Sequence, residues 1–226
     1  MLLQEVISHA KSNHRTVHIT FFDLADAFGS VSHELIDFSL HRFGMPENVI
    51  QYINNLYSRL NGTVKGPNWK SNKFRFAKGV FQGDPLSPII FLCCFNPVIE
   101  FLQDIQTKHG YDLEGHKVIT TPYADDFNLI TNHKLHHQKI INTLHDHTTS
   151  MGLKLKPIKC RSLSIKSGKP TKTDFFINKE RVKTVDEDPQ KFLGSLVTFS
   201  GKTEEVYEFI KSRIQQKLEN IEKTLI

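Results

Sequence analysis

A chain of 226 residues, 38% of them hydrophobic, is long enough for one domain with a sizeable core and shows no membrane bias. No uninterrupted apolar run reaches the roughly 18 to 20 residues of a membrane helix, and the formal net charge of +5 permits a nucleic-acid partner without requiring one. Three cysteines, Cys93, Cys94 and Cys160, are an odd set that argues against a disulfide framework or a zinc site and for a reducing compartment, nucleus or cytoplasm. Residues 1–12 read as an ordinary helix rather than a targeting segment. Residues 16–22, β-branched and aromatic, read as a strand that delivers Asp23 at its end. Ser32 is placed as the N-cap of a helix that Gly44 stops, and Pro46 opens the next, to about residue 60. Turn clusters follow at Asn61-Gly62 and Gly66-Pro67-Asn68, and residues 63–65 are expected to pair with 74–78 as a hairpin. Residues 79–84 form a glycine-bearing loop, and residues 85–107 an apolar helix that Pro97 should kink or split. Residues 117–122 and 127–131 read as two strands flanking Tyr123-Ala124-Asp125-Asp126. A helix is expected over 135–151, strand and loop over 153–165 and 173–185, and one short buried strand over 192–197. Residues 203–225 pattern as an amphipathic helix, with Val206, Phe209, Ile210, Ile214, Leu218 and Ile221 on one stripe. The predicted fold class is α+β, a small, mostly antiparallel sheet with helices on one face.

The chemistry lies in the acidic positions at strand ends. Asp125 and Asp126 put two like charges side by side on an apolar hairpin, and Asp23 closes another apolar strand. Such a cluster costs stability unless a cation neutralises it. A pair of magnesium ions, hard and oxygen-seeking, is an economical answer. Two such ions roughly 3.5 to 4 Å apart clamp the attacking and leaving oxygens of a phosphoryl transfer. Taken singly, each element is ordinary. Adjacent aspartates are common in turns, and the loop 79–88 could open any helix. Their order along the chain is what carries information.

In that order, Phe22-Asp23-Leu24-Ala25-Asp26-Ala27-Phe28, then the loop 79–88, then Tyr123-Ala124-Asp125-Asp126 resemble the three core motifs of reverse transcriptases, in the form of the non-LTR retrotransposon branch. Gly152-Leu153-Lys154-Leu155 through Lys159-Cys160 resembles the lysine-bearing motif that follows, and Phe192-Leu193-Gly194 the primer-grip strand. The resemblance implies a polymerase palm that copies an RNA template onto a DNA primer from deoxynucleoside triphosphates. It implies Asp23 and Asp125 as ligands of two Mg2+ ions, with Mn2+ a possible substitute, and Asp126 as support. It also implies nucleotide contacts from Leu24 (through backbone amides), Phe28, Gln82 and Gly83. A ring at Phe28 would exclude the 2′-hydroxyl that separates ribonucleotides from deoxynucleotides. Glycine at position 83 lets the backbone approach substrate closely. Lys159 matches a lysine that protonates the leaving pyrophosphate; a cation beside developing negative charge helps in any case.

The resemblance also sets departures. Few residues precede Asp23, only Arg15 among them is an arginine, and none resembles the fingers motifs expected there. Gly29 stands where the non-LTR branch usually has an aspartate. The expectation is therefore a palm with partial fingers over 1–200 and, over 201–226, the possible start of a thumb or connection. The missing fingers, thumb or endonuclease parts would come from a longer chain or a partner. The alternative is a truncated, inactive retroelement-derived domain that folds or binds RNA only. An RNA-templated RNA polymerase shares the aspartates, but Phe28 argues against it.

Other residues are weighed and left aside. His133, His136 and His137 read as a solvated helix face rather than metal ligands, and Cys160 as a packed residue. Trp69 reads as a base-stacking or a half-packed ring in a turn-rich insertion. From Lys154 to Lys183, ten lysines and arginines face two acids, Asp174 and Glu180. Lying between the double aspartate and the primer-grip strand, this strip reads as phosphate contacts for a template–primer duplex.

Overall fold

The computed structural model describes residues 2–198, 206–212, 214, 215 and 218. Helix α1 (Leu2–Ser12) buries Leu3, Val6 and Ala10 and leads into strand β1 (Val17–Phe22), all six of whose residues are buried. A short helix α2 (Ala27–Ser30), not foreseen from the sequence, sits just past Asp23. Helix α3 (His33–Arg42) starts as predicted, with the Ser32 hydroxyl accepting the Leu35 N–H. Helix α4 (Glu47–Arg59) follows Pro46.

The next hairpin forms in a different register from the one expected. Strands β2 (Asn61–Gly62) and β3 (Phe74–Arg75) pair Asn61 with Arg75 and Gly62 with Phe74, and Lys65 bridges Lys70 at the tip. The Gly66-Pro67-Asn68 turn closes a smaller loop of its own there. Helix α5 (Ser87–His109) runs on through Pro97 as one element. The split expected at the proline does not occur: the lost N–H costs one bond of a helix held by packing of Phe91, Cys94, Phe95, Val98 and Leu102 in the core. By length and composition α5 would suffice to cross a membrane. Counting uninterrupted apolar runs missed this, because Asn96, Pro97 and Glu100 break the run. Here it packs as a core helix against α3 and the later helix over 134–150.

Strands β4 (Tyr111–Leu113) and β5 (His116–Val118) make a tight hairpin. The regular ladder ahead of the double aspartate therefore ends at Val118, earlier than predicted. Residues beyond it lean on strand β6 (Phe127–Thr131) through single bonds, from the Ile130 N–H to the Ile119 carbonyl and from the Thr121 N–H to Asn128 Oδ1. Helix α6 (Lys134–Ser150) ends at Gly152, whose φ is 76°. Strands β7 (Arg161–Lys166) and β8 (Lys169–Pro170) follow, then β9 (Phe176–Ile177), β10 (Glu180–Arg181) and β11 (Lys183–Thr184). The single strand expected at 192–197 is instead a hairpin of β12 (Gln190–Phe192) and β13 (Ser195–Val197), turned at Leu193-Gly194. Both turn residues have positive φ, 46° and 79°, as a two-residue hairpin loop requires. The predicted helix over 203–225 lies largely outside the described residues. Those described, 206–212, 214, 215 and 218, are helical, and Ile210, Ile214 and Leu218 are exposed.

The main sheet has the order β11-β7-β1-β6, with β8 beside β7. Both neighbours of β1 are antiparallel to it; only β11 runs parallel to β7. Strand alternation sorts β1 between two cores. Phe22 joins the helix side, with α3 to α6. Val17, Ile19 and Phe21 join the other, with α1, Tyr111 and Phe192. The sheet is thus covered on both faces, not one, which is why no residue of β1 is polar toward solvent.

Candidate active site

The register of β1 against β6 builds the acidic cluster. The last paired residues are Phe22 and Phe127, whose rings stack at 4.8 Å. One antiparallel step further, Asp23 leaves β1 where Asp126 leaves β6. The turn between is closed by two main-chain bonds, Tyr123 N–H to the Asp126 carbonyl at 2.8 Å and Asp126 N–H to the Tyr123 carbonyl at 3.0 Å. Ala124 takes the left-handed conformation, φ 53°, that folds it back. The predicted aspartates therefore meet at one end of the sheet. Asp126 keeps an exposed surface, yet partial desolvation, then the charges of Asp125 and Asp23, raise its carboxyl above the ordinary range.

A second segment clamps Asp23 from the other side. Its carbonyl accepts the Lys156 N–H and the Ala25 N–H donates to the Lys154 carbonyl, both at 2.8 Å. Leu24 bridges Leu155 between them and its side chain is buried in the core. Any nucleotide contact from Leu24 is thus a main-chain matter, and the neighbouring Ala25 amide is already engaged. The same segment brings Lys159 Nζ to 3.5 Å from Asp23 Oδ2. Cys160 is packed beneath, as expected, and burial pushes its thiol up to about 12.

The glycine loop is tied to α2. The Gly79 N–H donates to the Val31 carbonyl at 2.6 Å and the Val80 N–H to the Phe28 carbonyl at 2.8 Å. Gly79 has φ 98°, and a side chain there would reach the Gly29 backbone at 3.1 Å, so two glycines meet face to face. This contact explains Gly79; at Gly29 an added Cβ would fall 2.2 Å from the Asp26 carboxylate, a side chain that would have to turn aside. Gln82 lines a cleft of about 340 Å³ together with Asp26, Gly29, Lys78, Gly79 and Phe81. Gly83, φ 96°, lies exposed beside it. Phe28 is half-buried, its ring stacked on Phe91 at 4.6 Å. Asp26 and Lys78 escaped the sequence reading; the first sits inside the Asp23 motif, and its pairing with Gly29 is the signal that could have found it.

Two sequence readings change. His137 is not on a solvated face but fully buried, bonded to Thr20 Oγ1 at 2.7 Å and Thr131 Oγ1 at 2.9 Å; His133 and His136 are exposed. The basic strip is thinner than counted. Arg161 pairs with Asp188, Lys172 with Asp186, Arg181 with Asp174 and Glu187, and Lys159 with Asp23. Ending the count at Lys183 left out the three acids that follow at 186–188.

The donors suit a divalent cation in kind. They are hard carboxylate oxygens, and Asp23 Oδ2 is buried without a hydrogen-bond partner. Among the described residues no group of three or more His, Cys, Asp or Glu side chains is closed into a ligand set. The arrangement is an open one, with the Lys159 ammonium as the cation facing Asp23.

An antiparallel sheet whose central strand ends in an aspartate beside a two-aspartate turn defines a nucleic-acid polymerase palm. Residues 2–197 match the family described as reverse transcriptase (RNA-dependent DNA polymerase), and the chain belongs to that family. It is 29% identical over 206 residues to the retrovirus-related Pol polyprotein from the type-2 retrotransposable element R2DM of Drosophila melanogaster, covering 87% of this chain and 19% of that protein. It is 30% identical over 172 residues to the Pol polyprotein from the type-1 retrotransposable element R2 of Nasonia vitripennis, covering 76% of this chain and 16% of that one. The chain thus spans about a fifth of the length of these relatives and is of their non-LTR type. In fold it is similar to apo telomerase from Candida tropicalis, with TM-score 0.58 at 14% identity over 78% of this chain and 32% of that one.

Proposed function

We propose that this segment is the palm of a retroelement protein that synthesises DNA on an RNA template by two-metal nucleotidyl transfer. The observation that carries the reading is the convergence of Asp23, the Asp125–Asp126 turn and Lys159 from three distant stretches of chain. Asp23 and Asp125 would hold two Mg2+ ions, and Mn2+ has the same oxygen preference. When bound, such ions activate the attacking hydroxyl and neutralise the leaving pyrophosphate. The chain's own part is positional. The β1–β6 register fixes the carboxylates, and Asp126 adds charge behind Asp125. Lys159 holds a proton-bearing ammonium next to the site. Phe28, held by Phe91, walls the sugar side, and Gln82 and Gly83 offer polar and backbone contacts to nucleotide and template. Residues 1–200 serve as palm with part of the fingers, and 201–226 lead toward a thumb or connection. Nucleus or cytoplasm is the proposed site of action.

Primer extension on an RNA template with Mg2+ tests this. Incorporation that disappears in Asp125→Asn is the expected result; none from the full polyprotein that contains this segment would sink it. A second reading, a domain that binds RNA without catalysis, is favoured by the open arrangement of the carboxylates. RNA binding with no extension in that same protein selects it.

A further inference from the structure

Residues 59–83 contain Arg59, Lys65, Lys70, Lys73, Arg75 and Lys78 and not one Asp or Glu. All six cations are exposed, and among the described residues none makes an ion pair. The contrast with the strip at 154–183, where acids quench four cations, is sharp. Interleaved with these charges are four exposed rings, Trp69 at 59%, Phe74 at 43%, Phe76 at 36% and Phe81 at 45%.

The rings are held in place. Phe74, Phe76 and Phe81 form a run of edge-to-face contacts at 5.4 and 5.8 Å. Phe74 and Phe76 lie over Gly62, where an added Cβ would come within 2.8 Å of the Phe74 ring. Trp69 lies over Gly66, whose Cβ would fall 2.1 Å from its indole nitrogen, and the Gly66 N–H bonds the Trp69 carbonyl at 2.9 Å. Trp69, Phe74 and Phe76 thus rest on glycine backbone, Phe81 rests on Phe76, and all four keep area toward solvent. The surface is continuous with the site, because Phe76, Lys78 and Phe81 line the same cleft as Asp26, Gly29 and Gln82.

Rings alone on a surface would suit an apolar protein partner. Six unneutralised cations among them do not, since burying each against apolar surface is costly. Cations that follow a phosphate backbone, with rings on which bases stack, are the recognised chemistry of single-strand binding. We propose that the β2–β3 hairpin and the segment leading to Gln82 form a sequence-tolerant binding surface for unpaired nucleic acid, leading the strand along the cleft toward Asp26 and Gln82. This deepens the function proposed above by giving the single strand a path separate from the duplex.

Trp69 is the chain's one tryptophan, so its fluorescence reports the contact directly. The full 226-residue chain is titrated with oligonucleotides of about 12 nucleotides, the size range single-strand sites take. The probes are oligo(A) RNA, oligo(A) DNA and a blunt RNA–DNA duplex. Expected is saturable quenching by both single strands, at least tenfold weaker with the duplex. The log–log salt slope should fall by about 0.7 for each of Lys65, Lys70 and Lys73 changed to Gln. Phe74→Ala with Trp69 retained should weaken binding about tenfold. Strand binding that survives Trp69→Ala with Phe74→Ala, followed by anisotropy, overturns the proposal, as does absence of quenching. Tryptophan quenching that grows with protein concentration alone assigns the surface to a protein contact and also overturns it. Quenching needs no chemistry, so Asp125→Asn should quench as the parent does. Intact quenching without extension counts against the polymerase reading alone, and extension without quenching against this one alone.

Discussion

The Lys159 ammonium stands 3.5 Å from Oδ2 of Asp23, an oxygen with no hydrogen-bond donor of its own. Lys159 and a divalent cation therefore compete for one carboxylate. Lys159→Gln is expected to lower the Mg2+ concentration needed for half-maximal extension while cutting kcat about a hundredfold, the size of a lost general acid. Steady-state kinetics across a magnesium series checks both. Stability should barely change, because the lysine side chain is 57% exposed and surface pairs are worth about 0–1 kcal/mol. A raised magnesium requirement would mean that the lysine helps the ion bind instead.

The raised carboxyl of Asp126 makes the cluster a source of strain. Between the ordinary carboxylate range and its raised value, the folded chain binds more protons than the unfolded one. Stability therefore increases as pH falls through that window and declines as pH rises out of it. Asp126→Asn should raise the thermal midpoint at neutral pH, flatten this dependence and reduce extension about a hundredfold. Calorimetry of parent and variant decides.

Metal should relieve the same repulsion. At a hundredfold excess over its Kd, a divalent ion that binds only the folded state adds about 2.7 kcal/mol. Mg2+ or Mn2+ is expected to raise the denaturation midpoint of the parent and not of Asp23→Asn with Asp125→Asn. An equal rise in both would place the ion elsewhere.

Two buried histidines set an acid limit. His137 is held well below the usual imidazole value, chiefly by burial and then by His18. Burial, then Lys134, His133 and Lys166, take His18 down to about 4, where Ser164 Oγ bonds it at 2.8 Å. Below about 6.5 the unfolded chain takes up protons that the folded one refuses. Stability is complete above that value and is lost as pH falls toward about 4. Urea midpoints should drop between about pH 7 and pH 5, and less steeply in His137→Gln, which keeps a hydrogen-bonding side chain between the two threonines.

Phe28 should govern the sugar. Phe28→Val, which leaves part of the Phe91 contact, is expected to lower the ratio of kcat/KM for dATP over ATP about tenfold. An unchanged ratio removes the sugar-side role.

Much of the site was legible because it is local. The strand before Asp23, the turn at Asp125-Asp126 and the Ser32 cap each rest on a few adjacent residues. The failures are where distant residues decide. The bond of His137 to Thr20, 117 positions away, is shown by no local pattern, although its burial falls on one helical stripe with Ile140, Ile141 and Leu144. The strip at 154–183 looked strongly basic until Asp186, Glu187 and Asp188 folded onto it. Gly29 looked like a departure from a family pattern; in the structure its backbone lies against Gly79 and its missing side chain leaves room for the Asp26 carboxylate.

The place of β1 between β6 and β7 has a consequence for synthesis. A ribosome makes the Asp23 strand before its partners, Phe127–Thr131 and Arg161–Lys166, which emerge more than a hundred residues later. Until then the strand has no ladder partner on either side, and contacts of such long sequence separation form slowly. The nascent chain therefore carries no acidic cluster until most of this segment has left the exit tunnel. Translation that stops short of β7 yields a chain without the Lys154–Lys159 clamp on Asp23, so a prematurely ended product lacks an assembled site.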